Sequence, residues 1–484
     1  MEEGLRRKTV SGVKWNSVGT LTTTALHMIK LFILARILTD TDFGLLAIAT
    51  MVLGFVEIFA NMGLATGLIH KQEVSREQYS SVFWLNLLLS AVLYVLLWAS
   101  TPFIARYYHQ PLLLKVIPLL SLTLVINSFG KMFYTFKTKE LDFKFISLVQ
   151  IVGVLLGVVF TIILALNGLG VFSLVYGALL QALLTQGVYA LSGIRKYRIL
   201  FHFRISEIVD IIKIGGYQLG MQVLDYISTK LDVFLIGRFF GMEILGIYNL
   251  SKELLYKVVQ LITPIVTNVA APAFARFQDD KPQMRISYGR ILNLLSFVNF
   301  PIFAVLALFA EPIVALCYGE KMMEMVWFVR VLSLWGLFQS IGTPAGILMV
   351  SLGRTDLGFR WTLVRIVTMF IATYIACHIS IFAMAWTQVL LAFIFLFAYW
   401  RMMVFAMIKL PLRPYLSSVS FPLMATVVAA LPVLPLFFFS STLEAPIRIS
   451  VLWLLLVLYI VCYFIFYFLV NRTFLKELLT YIKH

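Results

Sequence analysis

Fourteen apolar runs, each of about 20 residues or more, succeed one another along the chain and leave little room for anything else. They fall at 11–37, 43–68, 81–105, 112–134, 144–166, 170–192, 210–237, 243–272, 289–310, 325–350, 359–378, 381–401, 415–438 and 448–470. A helix of about 20 residues crosses the hydrocarbon core of a bilayer. The pattern therefore predicts an all-α integral membrane protein with about fourteen transmembrane helices. Composition agrees, since 61% of residues are hydrophobic and 13% charged, where an ordinary soluble domain carries about 25% charge. No loop is long enough for an extramembrane domain that would hold soluble chemistry. The opening MEEGLRRKTVSGVKW leads into a long span without a short apolar core and cleavage site, so the first span itself is expected to target the chain.

Basic residues alternate between the two sides of the spans. Arg6, Arg7, Lys8 and Lys14 precede the first, and every second loop thereafter is basic, for example Lys131, Lys137, Lys139 and Lys144, or Arg276, Lys281, Arg285 and Arg290. The opposite side is nearly bare, with TDTD at 39–42, NGLG at 167–170 and CHIS at 377–380. The positive-inside rule then places both termini in the cytoplasm. The net charge of +16 is explained by this topology. Because the basic residues are spread over short segments and join no reading module, nucleic-acid binding is not expected. Cys317, Cys377 and Cys462 stand alone among apolar neighbours, which predicts small core residues and no disulfide, metal or other cofactor site.

One pattern is written twice. Asn16, Thr20, Thr23, His27 and Lys30 punctuate the first span, and about 200 residues later Gln218, Gln222, Asp225, Thr229 and Asp232 punctuate the seventh at the same spacing. Steps of four, three, four and three put each set on one helical face. Both helices run on to a matching exit, Arg36 with Gly44 and Arg238 with Gly246. The repeat predicts two parallel six-helix lobes, 1–193 and 210–402, related by a pseudo-two-fold axis along the membrane normal. An amphipathic linker at 194–209 lies at the cytoplasmic interface, and 403–484 adds a C-terminal helix pair with a cytoplasmic tail. Charge is absent from Leu416 to Thr442 and from Ile449 to Val470, so the last two spans are expected to face lipid or a lipid tail.

A polar stripe on a membrane helix belongs in a bundle interior or a water-filled cavity, since a charge at mid-bilayer costs roughly 2.5–3.5 kcal/mol even on insertion scales. Candidate cavity residues are therefore His27, Lys30, Asp225 and Asp232 on the stripes, with Glu57 and Asn61 on the second span and Lys252 and Lys257 on the eighth. Lys30 and Asp232 are repeat equivalents of opposite sign, and the reading is either an ion pair across the cavity or two groups hydrated separately. Arg36 and Arg238 either snorkel to headgroups or line the outer mouth of an anion pathway. Glu253 stands one turn before Lys257, the favourable order for mutual neutralisation. Glu57 has no such neighbour in its own helix, so it is either a proton- or substrate-binding carboxylate or one end of an interhelical hydrogen bond. Ion-coupling candidates are Glu57, Asp225, Asp232 and Glu253. No phosphate-cradling glycine loop, HExxH or CxxC occurs, so no enzyme activity is expected.

The passage RILTDTDFGLLAIATMVLGFVEIFANMGLATGLIHKQEVSREQYSSVFWLNLLLS at 36–90 resembles the polysaccharide-transporter branch of the multidrug/oligosaccharidyl-lipid/polysaccharide exporter superfamily, the Wzx-type flippases. KMFYTFKTKELDFK at 131–144, LDVFLIGRFFGMEILGIYNLSKELL at 231–255 and PIVTNVAAPAFARFQDD at 264–280 are similar to the same branch. The resemblance implies a two-lobed inner-membrane protein that moves a polyprenyl-pyrophosphate-linked oligosaccharide to the outer leaflet. It further implies membrane lipids as partners, together with polysaccharide polymerase and export machinery. The alternatives are a cation-coupled drug exporter or a lipid II flippase of the same superfamily. Lys30, Lys252 and Lys257 argue against the drug exporter, whose cavity would be dominated by carboxylates and aromatics. A glycan polymerase would need a larger outer loop than any present.

Overall fold

The computed structural model describes residues 2–61, 68, 74–197, 199–440 and 445–470. They are helical and turn residues, with no strand among those described. The early helices are α1 (Glu2–Ile37), α2 (Asp40–Asn61), α3 (Arg76–Tyr107), α4 (Leu113–Lys139), α5 (Phe143–Leu166), α6 (Val171–Tyr197), α7 (Val209–Phe239) and α8 (Gly241–Arg276). There follow α9 (Lys281–Leu308), α10 (Ala310–Tyr318), α11 (Met325–Ser340), α12 (Thr343–Ser351), α13 (Thr355–Ile379) and α14 (Ile381–Tyr399). The chain ends in α15 (Leu412–Ala430), α16 (Val433–Ser440) and α17 (Ala445–Val470). By length and composition, 11 helices among the described residues can cross a membrane. The run at 325–350 is two helices broken at Ile341 and Gly342, and the run at 112–134 continues as helix to Lys139.

Local chemistry sets the helix starts. Ser75 and Gln78 form a reciprocal capping box at α3, and Asp142, Asp280 and Ser380 each accept a backbone N–H in the first turn of α5, α9 and α14. Asp42 has two tasks. Its Oδ2 accepts from the Thr39 N–H and hydroxyl at 2.9 and 2.7 Å, and its Oδ1 accepts from the Val171 N–H at 2.9 Å, so the TDTD loop ties the start of α2 to the start of α6. A carboxylate at two helix N-termini is favoured by both dipoles.

The first compact unit comprises residues 1–249 and the second 250–484, with the division inside α8. In the first, α1 packs along α5, α4 lies against α3 and α6, and α2 contacts α3, α4, α6 and α7. Small residues permit these approaches, as expected where lipid supplies no hydrophobic drive between helices. A side chain on Gly157 would meet the Gly177 carbonyl oxygen at 3.3 Å, and Ser147, beside Gly19, donates to the Trp15 carbonyl at 2.8 Å. At the exits of the repeat the contact is reciprocal. A Cβ on Gly44 would strike the backbone of Met242, and a Cβ on Gly246 would strike the backbone of Asp40. Under the shift of 202 residues that relates Gly44 to Gly246, Met242 is the equivalent of Asp40.

Residues 199–208 are pinned to the N-terminal end of α3. Trp84 Nε1 donates to the Leu200 carbonyl at 2.9 Å, Ser80 and Ser81 accept the N–H groups of Leu200 and Arg204, and Gln78 donates to the Glu207 carbonyl at 3.1 Å. Phe201 meets Trp84 at 5.0 Å between ring centroids yet is 97% exposed.

The second unit is built on α9, which packs against α11 and α15, while α11 also lies on α14 and α15 on α17. Tyr459, Tyr463 and Tyr467 recur every four residues on α17, all buried, against Phe297 and Phe421. The Tyr463 hydroxyl donates to the Phe297 carbonyl at 2.8 Å. The charge-free last span keeps an exposed apolar face, with Leu454, Val457, Phe464 and Phe468 on it, and its other face is a buried tyrosine ladder, because aromatic rings pack into a core without needing charge.

Candidate functional site

Membrane burial makes an unpaired polar group costly, so polar side chains facing one another inside a helix bundle mark a site or a structural lock. Such a group lies within the first unit. A cavity of about 420 Å³ is lined by Thr23 and His27 of α1, Asn127, Lys131 and Tyr134 of α4, Gln150 of α5, and Gln181, Thr185, Gln186 and Tyr189 of α6. A second space of about 190 Å³ is lined by Glu57 and Asn61 of α2, Asn86 and Ser90 of α3, and Asn127, Ser128 and Lys131 of α4. Asn127 and Lys131 border both.

Lys131 is the centre of this arrangement. Its Nζ donates to Asn61 Oδ1, and its ammonium lies within electrostatic reach of the Glu57 carboxylate. Glu57, without a neighbour on its own helix, thus has its counter-charge on α4. Lys131 was grouped above with the basic residues of a cytoplasmic loop. It lies instead in the body of α4, eight residues before that helix ends at Lys139. Asn127, Lys131 and Thr135 stand at successive i, i+4 positions, and no glycine or proline interrupts 131–139, which is the signal that marks the helix as continuing.

The other candidates are distributed differently. Thr23 and His27 reach the large cavity, while Lys30, one turn further, is part-buried on α1. Asp232 is 3% exposed, and its Oδ2 accepts from the Tyr248 hydroxyl at 2.6 Å while Oδ1 accepts from the Val233 N–H at 2.8 Å. Asp225 is exposed on α7, where its carbonyl accepts from the Thr229 hydroxyl at 3.0 Å. Tyr226, between them in the helical register, donates to the Met51 carbonyl at 2.8 Å and lies against Gly54 of α2. Arg36 is exposed, and the Arg238 guanidinium sits 5.4 Å from the Tyr107 ring centroid, a cation–π contact. The Gln218 side chain lies outside the described residues.

In the second unit, Lys252 is 7% exposed with its ammonium 5.7 and 5.9 Å from the Tyr256 and Trp335 ring centroids. Lys257 donates to Gln260 at 3.4 Å, and Glu253 is exposed. Sequence reasoning passed over the ion cluster at Glu311, whose Oε2 is 2.6 Å from Arg448 and 3.9 Å from Arg330. Nothing in the local sequence of Arg448 names its partner, 137 residues earlier.

Residues 33–327 match a family of polysaccharide biosynthesis proteins. The chain belongs to that family. Within it the protein is a transporter of the Wzx-type polysaccharide-exporter branch rather than an enzyme. Similar proteins include the lipopolysaccharide biosynthesis protein WzxC of Escherichia coli, 27% identical over 75% of this chain and 73% of its own. The teichuronic acid biosynthesis protein TuaB of Bacillus subtilis is 28% identical over 87% of both chains. Among solved structures, the lipid II flippase MurJ in an inward-closed conformation superposes with a TM-score of 0.75 at 13% identity, covering 93% of this chain and 98% of that one. An inward-facing multidrug resistance transporter of the MATE family gives 0.61 at 15% identity, covering 80% and 98%. These likenesses establish the fold. The resemblance read from residues 36–90, 131–144, 231–255 and 264–280 is borne out, and this family member is a multi-pass protein of the bacterial inner membrane.

Proposed function

We propose that the protein flips a polyprenyl-pyrophosphate-linked oligosaccharide from the cytoplasmic to the outer leaflet for surface polysaccharide export. Membership of a polysaccharide biosynthesis family, with relatives named for lipopolysaccharide, teichuronic acid and succinoglycan biosynthesis or transport, carries this reading. Each sugar hydroxyl or phosphate oxygen taken unaided into hydrocarbon loses its hydrogen bonds at roughly 2–7 kcal/mol. A polar path open to one side at a time removes that cost while the lipid tail stays in the bilayer.

On this reading the chain crosses the membrane fourteen times with both termini cytoplasmic, α7, α8 and the α15–α16 stretch adding to the 11 helices that meet the length and hydropathy requirement. Two six-helix lobes rock about a pseudo-two-fold axis along the membrane normal, and α15 to α17 stand outside the repeat. The reciprocal approach of Gly44 to Met242 and of Gly246 to Asp40 supports the axis, because a contact that exchanges equivalent residues is what two-fold symmetry produces. Lys30 on the α1 stripe takes the substrate pyrophosphate, and the acidic groups Glu57, Asp225, Asp232 and Glu253 are the places for ion coupling. A polymerase and the export machinery receive the product.

Deleting the gene should stop surface polysaccharide and leave the lipid-linked oligosaccharide in the cytoplasmic leaflet. Returning wild-type or Lys30→Arg should restore export, and Lys30→Ala at equal abundance should restore little. Undiminished export in the deletion strain would overturn the flippase reading, and full export by Lys30→Ala would remove that lysine from the pyrophosphate site.

A further inference from the structure

The large cavity of the first unit is furnished for a different part of the substrate than a pyrophosphate. Its lining holds the carboxamides of Asn127, Gln150 and Gln181, each of which makes no hydrogen bond to protein among the described residues. Gln186 also lines the cavity, although its carboxamide oxygen is turned onto Gly130 of α4 and makes no hydrogen bond there. A primary amide offers two donors and an accepting carbonyl oxygen, so Asn127, Gln150 and Gln181 present directional, uncharged contacts from three helices around the cavity. The Thr23 and Thr185 hydroxyl protons are already given to backbone carbonyls of Gly19 and Gln181, both at 2.8 Å, which leaves their oxygens as acceptors. Tyr134 packs edge-on to Tyr189 at 5.6 Å and keeps part of its ring exposed.

Charge is the deciding feature. Lys131 borders both spaces, but its ammonium is held by Asn61 and lies within electrostatic reach of the Glu57 carboxylate, two residues of the smaller space, so its charge is already balanced by protein. A diphosphate would call for free cations; a neutral polyol calls for what the wall supplies, donors and acceptors interleaved. The volume, about 420 Å³, falls within the range of about 300–1,000 Å³ usual for small-ligand sites. It holds a short stretch of a glycan and not a whole polymer.

We infer that this cavity between α1, α4, α5 and α6 is a saccharide-binding subsite that engages hydroxyl groups of the lipid-linked glycan, separate from the site that takes its pyrophosphate. The inference rests on the flippase reading and adds to it the sugar end of the substrate. Amides on α5 and α6 select for hydroxyl geometry, and Lys131, between the two spaces, links occupancy of the subsite to the Glu57 carboxylate.

The test is a cysteine reporter in native membranes. Gln150→Cys is placed in a chain whose Cys317, Cys377 and Cys462 are changed to serine, and its reaction rate with a small charged methanethiosulfonate is measured. Membranes come from cells that assemble the lipid-linked glycan and from cells lacking the transferase that adds its first sugar phosphate, which do not contain that glycan lipid. The proposal predicts several-fold slower labelling when the glycan is present, with the protection lost on adding Gln181→Leu. Equal rates in both membranes would overturn the subsite. Equal protection on adding polyprenyl pyrophosphate to the glycan-free membranes would overturn it as well, by making the cavity an anion site. The deletion strain keeps the two ideas apart: lost export with equal labelling rates sinks the subsite alone, whereas export that survives deletion sinks the flippase reading first.

Discussion

The two compact units use their interiors in opposite ways. In the first, α2, α4 and α6 bring Glu57, Asn61, Lys131 and several carboxamides into cavities, and glycines let the helices close around them. In the second, the core between α9, α15 and α17 is aromatic, with Phe297, Tyr459, Tyr463 and Tyr467 buried, and the ion cluster of Glu311, Arg330 and Arg448 tethers α17 to α10 and α11. Sequence repetition therefore does not mean repetition of chemistry. Under the shift of 202 residues Glu57 corresponds to Val259 and Thr50 to Lys252, so the repeat preserves helix register and exit glycines while its polar groups have diverged. The difference teaches that a repeated sequence register does not by itself dictate which polar groups a helix carries.

The comparison is most exposed at the exits of the repeat, where equivalent residues touch. Gly44→Leu or Gly246→Leu drives a side chain into backbone that cannot turn aside, so each should abolish export and lower folding stability by about 1–3 kcal/mol or more. Thermal melting in detergent alongside polysaccharide export checks this, and a well-tolerated leucine would mean the contact constrains nothing.

Next in size is the pair inside the first unit. Removing either Glu57 or Lys131 leaves the other charge in a poorly solvated cavity, so Glu57→Gln and Lys131→Met should each harm stability more than the double variant, with a coupling of about 0.5–3 kcal/mol. Additive losses would separate the two groups. In the second unit, Arg448→Ala removes a charged hydrogen bond to Glu311 and should cost about 1.5–3 kcal/mol in melting experiments while leaving export largely intact.

The smallest effect is expected where the ends of α4 and α6 meet at Glu140. Burial pushes the Glu140 carboxyl up, but hydrogen bonds from Lys196 at 2.5 Å and Tyr197 at 2.6 Å, with Lys137 nearby, outweigh it and hold the group below its usual value. A depressed carboxylate stabilises the fold above its unfolded-state pKa, and the gain disappears as pH falls through the folded value. Glu140→Gln should therefore lower stability at neutral pH by at most about 1 kcal/mol, since the side chain is 37% exposed, and converge with wild type in acid. A gap that widened on acidification would contradict the assignment.

Much of this was written in the sequence. Apolar run length fixed the membrane fold, and the period of the α1 stripe picked out Thr23 and His27, both on the large cavity. Glu57 and Asn61 were legible as one face of α2. Lys131 was not, because three further lysines at 137, 139 and 144 make its surroundings look like a cytoplasmic loop, and only the unbroken helical register through Thr135 argues otherwise. The glutamines of α5 and α6 were passed over for a related reason. A lone amide in an apolar helix carries no charge to flag it, and its meaning depends on which other helix faces it. The tyrosine ladder of α17 went unread because Tyr459, Tyr463 and Tyr467 sit among aromatic and aliphatic neighbours in a span whose lack of charge pointed to lipid.

The central claim is that cargo handling resides in the polar interior of the first unit while the second unit's ion cluster holds structure. Surface polysaccharide export measured for Lys131→Leu and Arg448→Leu, each matched to wild type for abundance in the membrane, tests it most directly. The account predicts that Lys131→Leu loses most export and Arg448→Leu keeps most of it. Full export by Lys131→Leu, or equal losses from both, would contradict it.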